Sequence, residues 1–330
     1  GCHASGLKDE TMANETTTAT LDDITHASLI GPFLIRALSE KPGTYVHGKE
    51  FNLTGGHASP AIKIPAETSW WGSANDDGAG VDTEWDATQG TDLTNTAIST
   101  GAGVTITPGE YGVLIELSDN VSEDSVSAID VFGWIQERML HVISLAITDD
   151  FIAFYASLSN TVGTSGSDLT VAQMIAAQQG LRTRGVDADA LVYVLDNQQV
   201  SDIESALSAA STSAATFALS ADRLIRYAPT ADNGMGSTRQ VMTFRGVPVY
   251  ATGLTDTANA AADVVGACYA PSTAYNDQSG ATTFASVWKR MPRVELDRNA
   301  EGRATKLVMS ARWGGGEMQD GAGTAIITDA

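Results

Sequence analysis

Five histidines, two cysteines and an aspartate-rich loop are the residues of this 330-residue chain whose chemistry could build a site. The histidines (His3, His26, His47, His57 and His141) show no ligand spacing, and metal sites need several donors converging on one point. They read as structural or surface residues. Cys2 and Cys268 lie far apart in sequence and imply neither a disulfide framework nor a zinc site. A reducing, cytoplasmic folding compartment fits them. Asp76-Asp77-Gly78 and Asp82 offer carboxylates to calcium, but the alternating oxygens and closing glutamate of a calcium loop are missing. A solvated loop tip is the reading. Gly234-Met235-Gly236-Ser237 neither follows a strand nor opens a helix, so it reads as a surface turn. There is no Gly-x-Ser-x-Gly elbow and no phosphate loop. The expectation is a chain that is no enzyme and carries no cofactor or metal. An acidic hydrolase with a β-rich lid is the remote alternative, and the sequence supplies no nucleophile, base and oxyanion set for it.

What the sequence does supply is sorted charge. Between residues 64 and 137 there are fourteen Asp and Glu and no Lys, Arg or His. Seven basic residues then crowd into 24 positions: Lys289, Arg290, Arg293, Arg298, Arg303, Lys306 and Arg312. Complementary fields of this kind set register between subunits and suppress wrong partners. Trp70, Trp71 and Trp85 stand in the Gly-rich acidic stretch, where aromatics on an extended loop suit interface anchors. Inter-subunit contact is therefore expected at these three tryptophans and at Lys289, Arg290, Arg293, Arg298, Arg303 and Arg312. The net charge of −21 excludes a protein that grips nucleic acid through phosphate contacts, though not a container for it.

The elements that would position these residues follow from pattern. With 43% hydrophobic and 18% charged residues the chain reads as folded, and its length favours two subdomains. No run approaches the ~18 apolar residues of a membrane span, and no membrane partner is expected. Residues 1–11 precede Met12-Ala13-Asn14, an ordinary translation start; they read as an upstream extension or a processing remnant. Residues 12–56 read as an extended arm. Ile62 and Ile64 form a short strand stopped by Pro65. After roughly thirty irregular residues the chain returns through Val104, Ile106, Val113, Ile115 and Leu117, around a turn at Pro108-Gly109. A long β-hairpin results.

Ser122 is the expected N-cap of a helix of about 35 residues, with apolar positions at Ile129, Phe132, Ile135, Met139, Val142 or Ile143, Ala146 or Ile147, and Phe154. Thr170 and Gln173 have capping-box spacing for a second helix that Gly185 stops. Leu191 to Leu195 is a continuous apolar run, as in a strand covered on both faces, and Asp196 opens a third helix. Residues 169–270 read as a mixed α/β region. The last sixty residues return to strands, including Ala325-Ile326-Ile327, which are expected to pack back onto the long helix.

This order of elements resembles the major capsid proteins of tailed bacteriophages, the Hong Kong 97-like shell proteins. Local text is similar too: Leu169 to Ala177 followed by Leu191 to Asp196, then Phe244 to Tyr250, then Val294 to Asn299 and Ala304 to Val308. The resemblance covers about residues 30–328. It implies an α+β Hong Kong 97-like capsid fold. Its parts would be an N-terminal arm (1–57), an extended β-hairpin loop (58–118), a spine helix of the peripheral domain (119–165), an inserted α/β axial domain (166–275) and closing peripheral strands (276–330). It further implies self-assembly as hexamers and pentamers into an icosahedral shell around double-stranded DNA, located in the virion and built in the host cytoplasm. A portal, a scaffolding protein, and cement or decoration proteins are the implied partners. An encapsulin-like nanocompartment shares the fold and is the nearest alternative. Some family members crosslink through a lysine on the extended loop. Here no Lys lies between Lys63 and Lys289, so a shell without such crosslinks is expected.

Overall fold

The computed structural model describes residues 47–54, 59–65, 67–69, 99–100, 103–124, 131–186, 191–211, 225–227, 239–259, 262–272 and 282–329. Along the chain come β1 (Lys49–Asn52), β2 (Ile62–Ile64), β3 (Glu67–Ser69), β4 (Ser99–Thr100), β5 (Val104–Ile106), β6 (Gly109–Ser118), α1 (Asp119–Asp124) and α2 (Val131–Ile152). A 3₁₀ turn (Ala153–Ser157) leads to β7 (Thr161–Gly163), α3 (Val171–Thr183), β8 (Val192–Asp196), α4 (Asn197–Ser211), β9 (Ile225–Tyr227), β10 (Arg239–Phe244) and β11 (Val247–Thr252). Then follow β12 (Thr257–Ala258), β13 (Asp263–Tyr269), β14 (Phe284–Asn299), β15 (Ala304–Glu317) and β16 (Gly323–Asp329).

The spine is α2. Every fourth residue from Val131 (Ile135, Met139, Ile143, Ile147, Phe151) is buried, giving one apolar stripe at helical spacing. That stripe rests on a four-stranded sheet of order β1-β14-β15-β6, against Leu117, Leu307, Met309, Ala311 and Trp313. Each such side chain contributes roughly 1.5–3 kcal/mol on burial. The stripe takes Ile143 and leaves Val142 half exposed, which settles the choice that spacing alone left open. Ser122 lies inside α1, which starts at Asp119, and α2 has 22 described residues before its 3₁₀ turn. Residues 125–130, where the two helices were expected to be continuous, lie outside the described residues. Contrary to the sequence expectation, Val131–Ser157 is long and apolar enough to cross a membrane by length and composition. Its buried stripe accounts for the apolar residues of one face.

The second sheet has the order β7-β16-β13-β8-β11-β10-β9, with β12 on β13. Its middle strands β8 and β13 are buried along nearly their whole length, as the continuous apolar run from Leu191 anticipates. The Thr170–Gln173 capping box forms: Gln173 N–H donates to Thr170 Oγ1 at 3.3 Å and Thr170 N–H to Gln173 Oε1 at 2.8 Å. Past the end of α3, Gly185 has φ +86°, a conformation glycine adopts without a Cβ penalty.

Two expectations change. The chain from Gly109 is no part of the hairpin's return. It is β6, a ten-residue strand antiparallel to β15 from Ser118↔Ala304 to Gly109↔Trp313. Among the described residues, β2–β5 and β3–β4 pair as the hairpin's two legs. Likewise β16 does not return to the spine's sheet; it pairs with β13 and β7 in the second sheet. Its residues are buried on both faces, which suits a sheet interior and not a one-sided layer.

Candidate assembly surface

The hairpin is fixed at its root. Ile106, Ala285 and Val287 form a small separate core, joined by Phe51, Leu53, Ile62, Ile64, Val104 and Met318. Beneath the root, β15 carries Gly314, Gly315 and Gly316. A Cβ on Gly314 would lie 2.9 Å from Pro108 Cα, and one on Gly316 would lie 2.9 Å from Ile106 Cγ1. The glycines therefore let the root lie directly on the β15 backbone. Nothing in the sequence pattern signalled this use of three successive glycines in a strand. Trp70, Trp71 and Trp85 belong to residues 70–98, outside the described residues.

Strand alternation decides which charges face outward. On β6, Tyr111, Val113, Ile115 and Leu117 turn to the helix, so Glu110, Leu114 and Glu116 take the opposite face. Leu114 is 60% exposed there. On β15 the matching outward residues are Lys306, Val308, Ser310 and Arg312.

This face corrects the simple picture of a basic patch awaiting a neighbour. Arg290 pairs with Glu110, Arg293 with Glu295 at 2.7 Å, and Lys306 lies 3.9 Å from Glu116. Arg298 grips Asp119 with both terminal nitrogens, at 2.5 and 2.6 Å. That bond holds the Asp119 carboxyl below its ordinary range, and raises Arg298 in turn. Lys289 Nζ donates to the Ser59 carbonyl near the start of the hairpin. Arg303 stands in the β14–β15 turn at φ +50°, its carbonyl accepting from Asp119 N–H at 2.9 Å. Most of the patch is thus answered within the chain, because the 110–119 end of the acidic stretch is β6 and its approach, adjoining the basic strands. The sequence reading missed Glu110, Glu116 and Asp119 in this role; an alternating Glu pattern beside Pro108 was the only signal. On the strands, Arg312 differs from Arg290, Arg293, Arg298 and Lys306: its side chain has no hydrogen bond or ion pair among the described residues, and its Nε is buried without a partner.

A second buried polar group lies where the two sheets share a core. His47 is fully buried, with Nδ1 2.7 Å from Tyr269 Oη, which is 3.1 Å from Tyr155 Oη. Its Nε2 has no partner, and burial pushes its pKa down to about 4. Phe151, Phe284 and Tyr250 surround this nest. The His47 carbonyl accepts from Ser272 N–H at 2.7 Å, which ties the end of the N-terminal arm to the junction. Among the described residues no three His, Cys, Asp or Glu side chains gather as a metal site would require.

No family model matches the chain, and no curated protein matches it in sequence. Solved structures do. The capsid of the cyanophage P-SCSP1u superposes with a TM-score of 0.61 at 11% identity, over 93% of this chain and 94% of that one. The capsid of an empty GTA particle gives 0.61 at 13% identity, over 96% and 99%. The SrpI encapsulin of Synechococcus elongatus PCC 7942 gives 0.53 at 9% identity, over 89% and 93%. Over nearly its whole length, then, the chain has the α+β, Hong Kong 97-like capsid fold of these phage-type shells.

Proposed function

We propose that this chain is the major capsid protein of a tailed bacteriophage, a structural protein and no enzyme. It assembles with itself as hexamers and pentamers into an icosahedral shell around double-stranded DNA. The observation that carries this reading is a likeness to capsid subunits along nearly the whole length of both chains. The acidic hairpin is the part that reaches a neighbour; among the described residues its own subunit packs against its root. Trp70, Trp71 and Trp85 are then its apolar anchors, and the basic strands of the next subunit its platform. The net charge of −21 suits a wall that encloses packed DNA without sequence-specific binding. A portal at one vertex, a scaffold during assembly in the host cytoplasm, and cement proteins outside are the partners this role calls for. Sedimentation velocity of the purified protein tests the reading: very large, narrowly distributed particles support it, and monomers at every concentration refute it.

The encapsulin likeness favours a second reading, a nanocompartment around an enzyme. Particle contents separate the two. Nuclease-protected DNA points to a phage shell, and a stoichiometric protein cargo to a compartment.

A further inference from the structure

Once the pairs within the chain are subtracted, the outer face of the four-stranded sheet keeps one unbalanced place. Glu110 on β6, Arg312 on β15 and Arg290 on β14 lie abreast in three neighbouring strands, Arg312 opposite both others. Two guanidinium-bearing residues therefore stand beside one carboxylate, and that carboxylate is paired with Arg290 and not with Arg312. Like charges directly across a sheet are destabilising unless something neutralises them. Both Nε atoms are buried without a hydrogen-bond partner, while Glu110's side chain is 64% exposed and Arg290's 28%. The β-bulges on either side of Arg290 break the register and set its side chain out of step with its strand. The geometry is a fork-shaped donor pair with one acceptor too few. A planar carboxylate supplies two acceptor oxygens in the spacing a guanidinium prefers.

We propose that Arg290 and Arg312 form a receptor for one carboxylate from a second copy of this chain, supplied by its acidic segment 76–92. This rests on the shell reading above and goes further by naming the place where the neighbour is held. The segment is chosen by charge: it carries Asp76, Asp77, Asp82, Glu84, Asp86 and Asp92 with no Lys, Arg or His. It is also long enough to leave its own subunit, because residues 70–98 lie between the hairpin's paired legs and extended chain covers roughly 3.3 Å per residue. Arg293, Arg298 and Lys306 already have carboxylates beside them, and Lys289 bonds the Ser59 carbonyl.

Two variants of opposite sign test this. Arg312→Gln removes the free fork. Glu110→Gln leaves the positive pair without its internal counter-ion, so the site pulls harder on an outside carboxylate. Shell formation of wild type, R312Q, R312K and E110Q is followed by light scattering against NaCl concentration. The expected result is that R312Q lowers, and E110Q raises, the salt at which half the shells dissociate. At fixed salt, R312Q should need about two- to fivefold more protein for half assembly, the range of one exposed charge pair, with R312K in between. A role confined to the subunit's own charge balance would give the reverse pattern, R312Q relieving the like-charge contact and E110Q worsening it, so R312Q shells more salt-resistant and E110Q shells less so than wild type overturn the proposal. So does assembly of all variants like wild type. R312Q shells that form normally but retain less DNA would mean the fork takes a phosphate, which also overturns it. Failure of wild type to form any particle sinks the shell reading itself, a result distinct from all of these.

Discussion

Acid should loosen the junction between the two sheets through His47. An unfolded chain exposes this imidazole to water, where it titrates near 6.5; folded, it is held neutral and its pKa falls to about 4. Between those values the unfolded chain binds a proton that the folded one refuses. Stability is therefore complete above pH 6.5, falls as pH drops through the window, and levels off below about 4. At about 1.4 kcal/mol per pH unit, the loss over the window is about 3 kcal/mol. The groups facing the ring are Tyr155, Tyr250 and Tyr269, none of which carries charge in this range, so no neighbour offsets the cost. Urea unfolding of unassembled subunits at pH 7.5, 6.5, 5.5 and 4.5 measures it, urea being chosen because it does not screen charge. His47→Gln keeps a partner for Tyr269 and cannot titrate. Its unfolding free energy should lose about 1.4 kcal/mol per pH unit less than wild type across the window. Equal slopes for the two proteins would refute the reasoning, because carboxylates common to both would then explain all the acid sensitivity.

Three further outcomes are expected. Gly314→Ala places a Cβ 2.9 Å from Pro108 Cα, so it should cost about 1–3 kcal/mol and displace the hairpin root, abolishing assembly. Gly321→Ala, with nothing within 4 Å of its Cβ, should assemble as wild type. Ile143→Ala should destabilise by about 2–5 kcal/mol in chemical unfolding, and Val142→Ala by much less, because only Ile143 belongs to the buried stripe. Shells boiled in detergent should release a single 34.4 kDa band, since no Lys occurs between Lys63 and Lys289; a ladder of covalent multimers would contradict this.

What could be read from the sequence was what is local. The four-residue spacing from Ile135 to Phe151, the Thr170–Gln173 box and the unbroken apolar run before Asp196 each encode their own element, and each element is present. Pairing between distant strands is not encoded that way. Val113, Ile115 and Leu117 alternate equally well for a hairpin leg or a sheet strand. Only the presence of β15, some two hundred residues later, decides between them. Ile326 and Ile327 likewise carry no mark of which sheet will receive them. The charge sorting was real, but its meaning was divided. Glu110, Glu116 and Asp119 serve the subunit itself, and Arg312 is left over. Proximity in three dimensions separates those uses, and a count along the chain cannot.

The most direct test of the central claim is electron microscopy of the void fraction from a sizing column. The expected result is uniform icosahedral particles built of fivefold and sixfold clusters, each subunit's hairpin lying over the next subunit's four-stranded sheet. A preparation holding only monomers, at every protein concentration and salt tried, would contradict it.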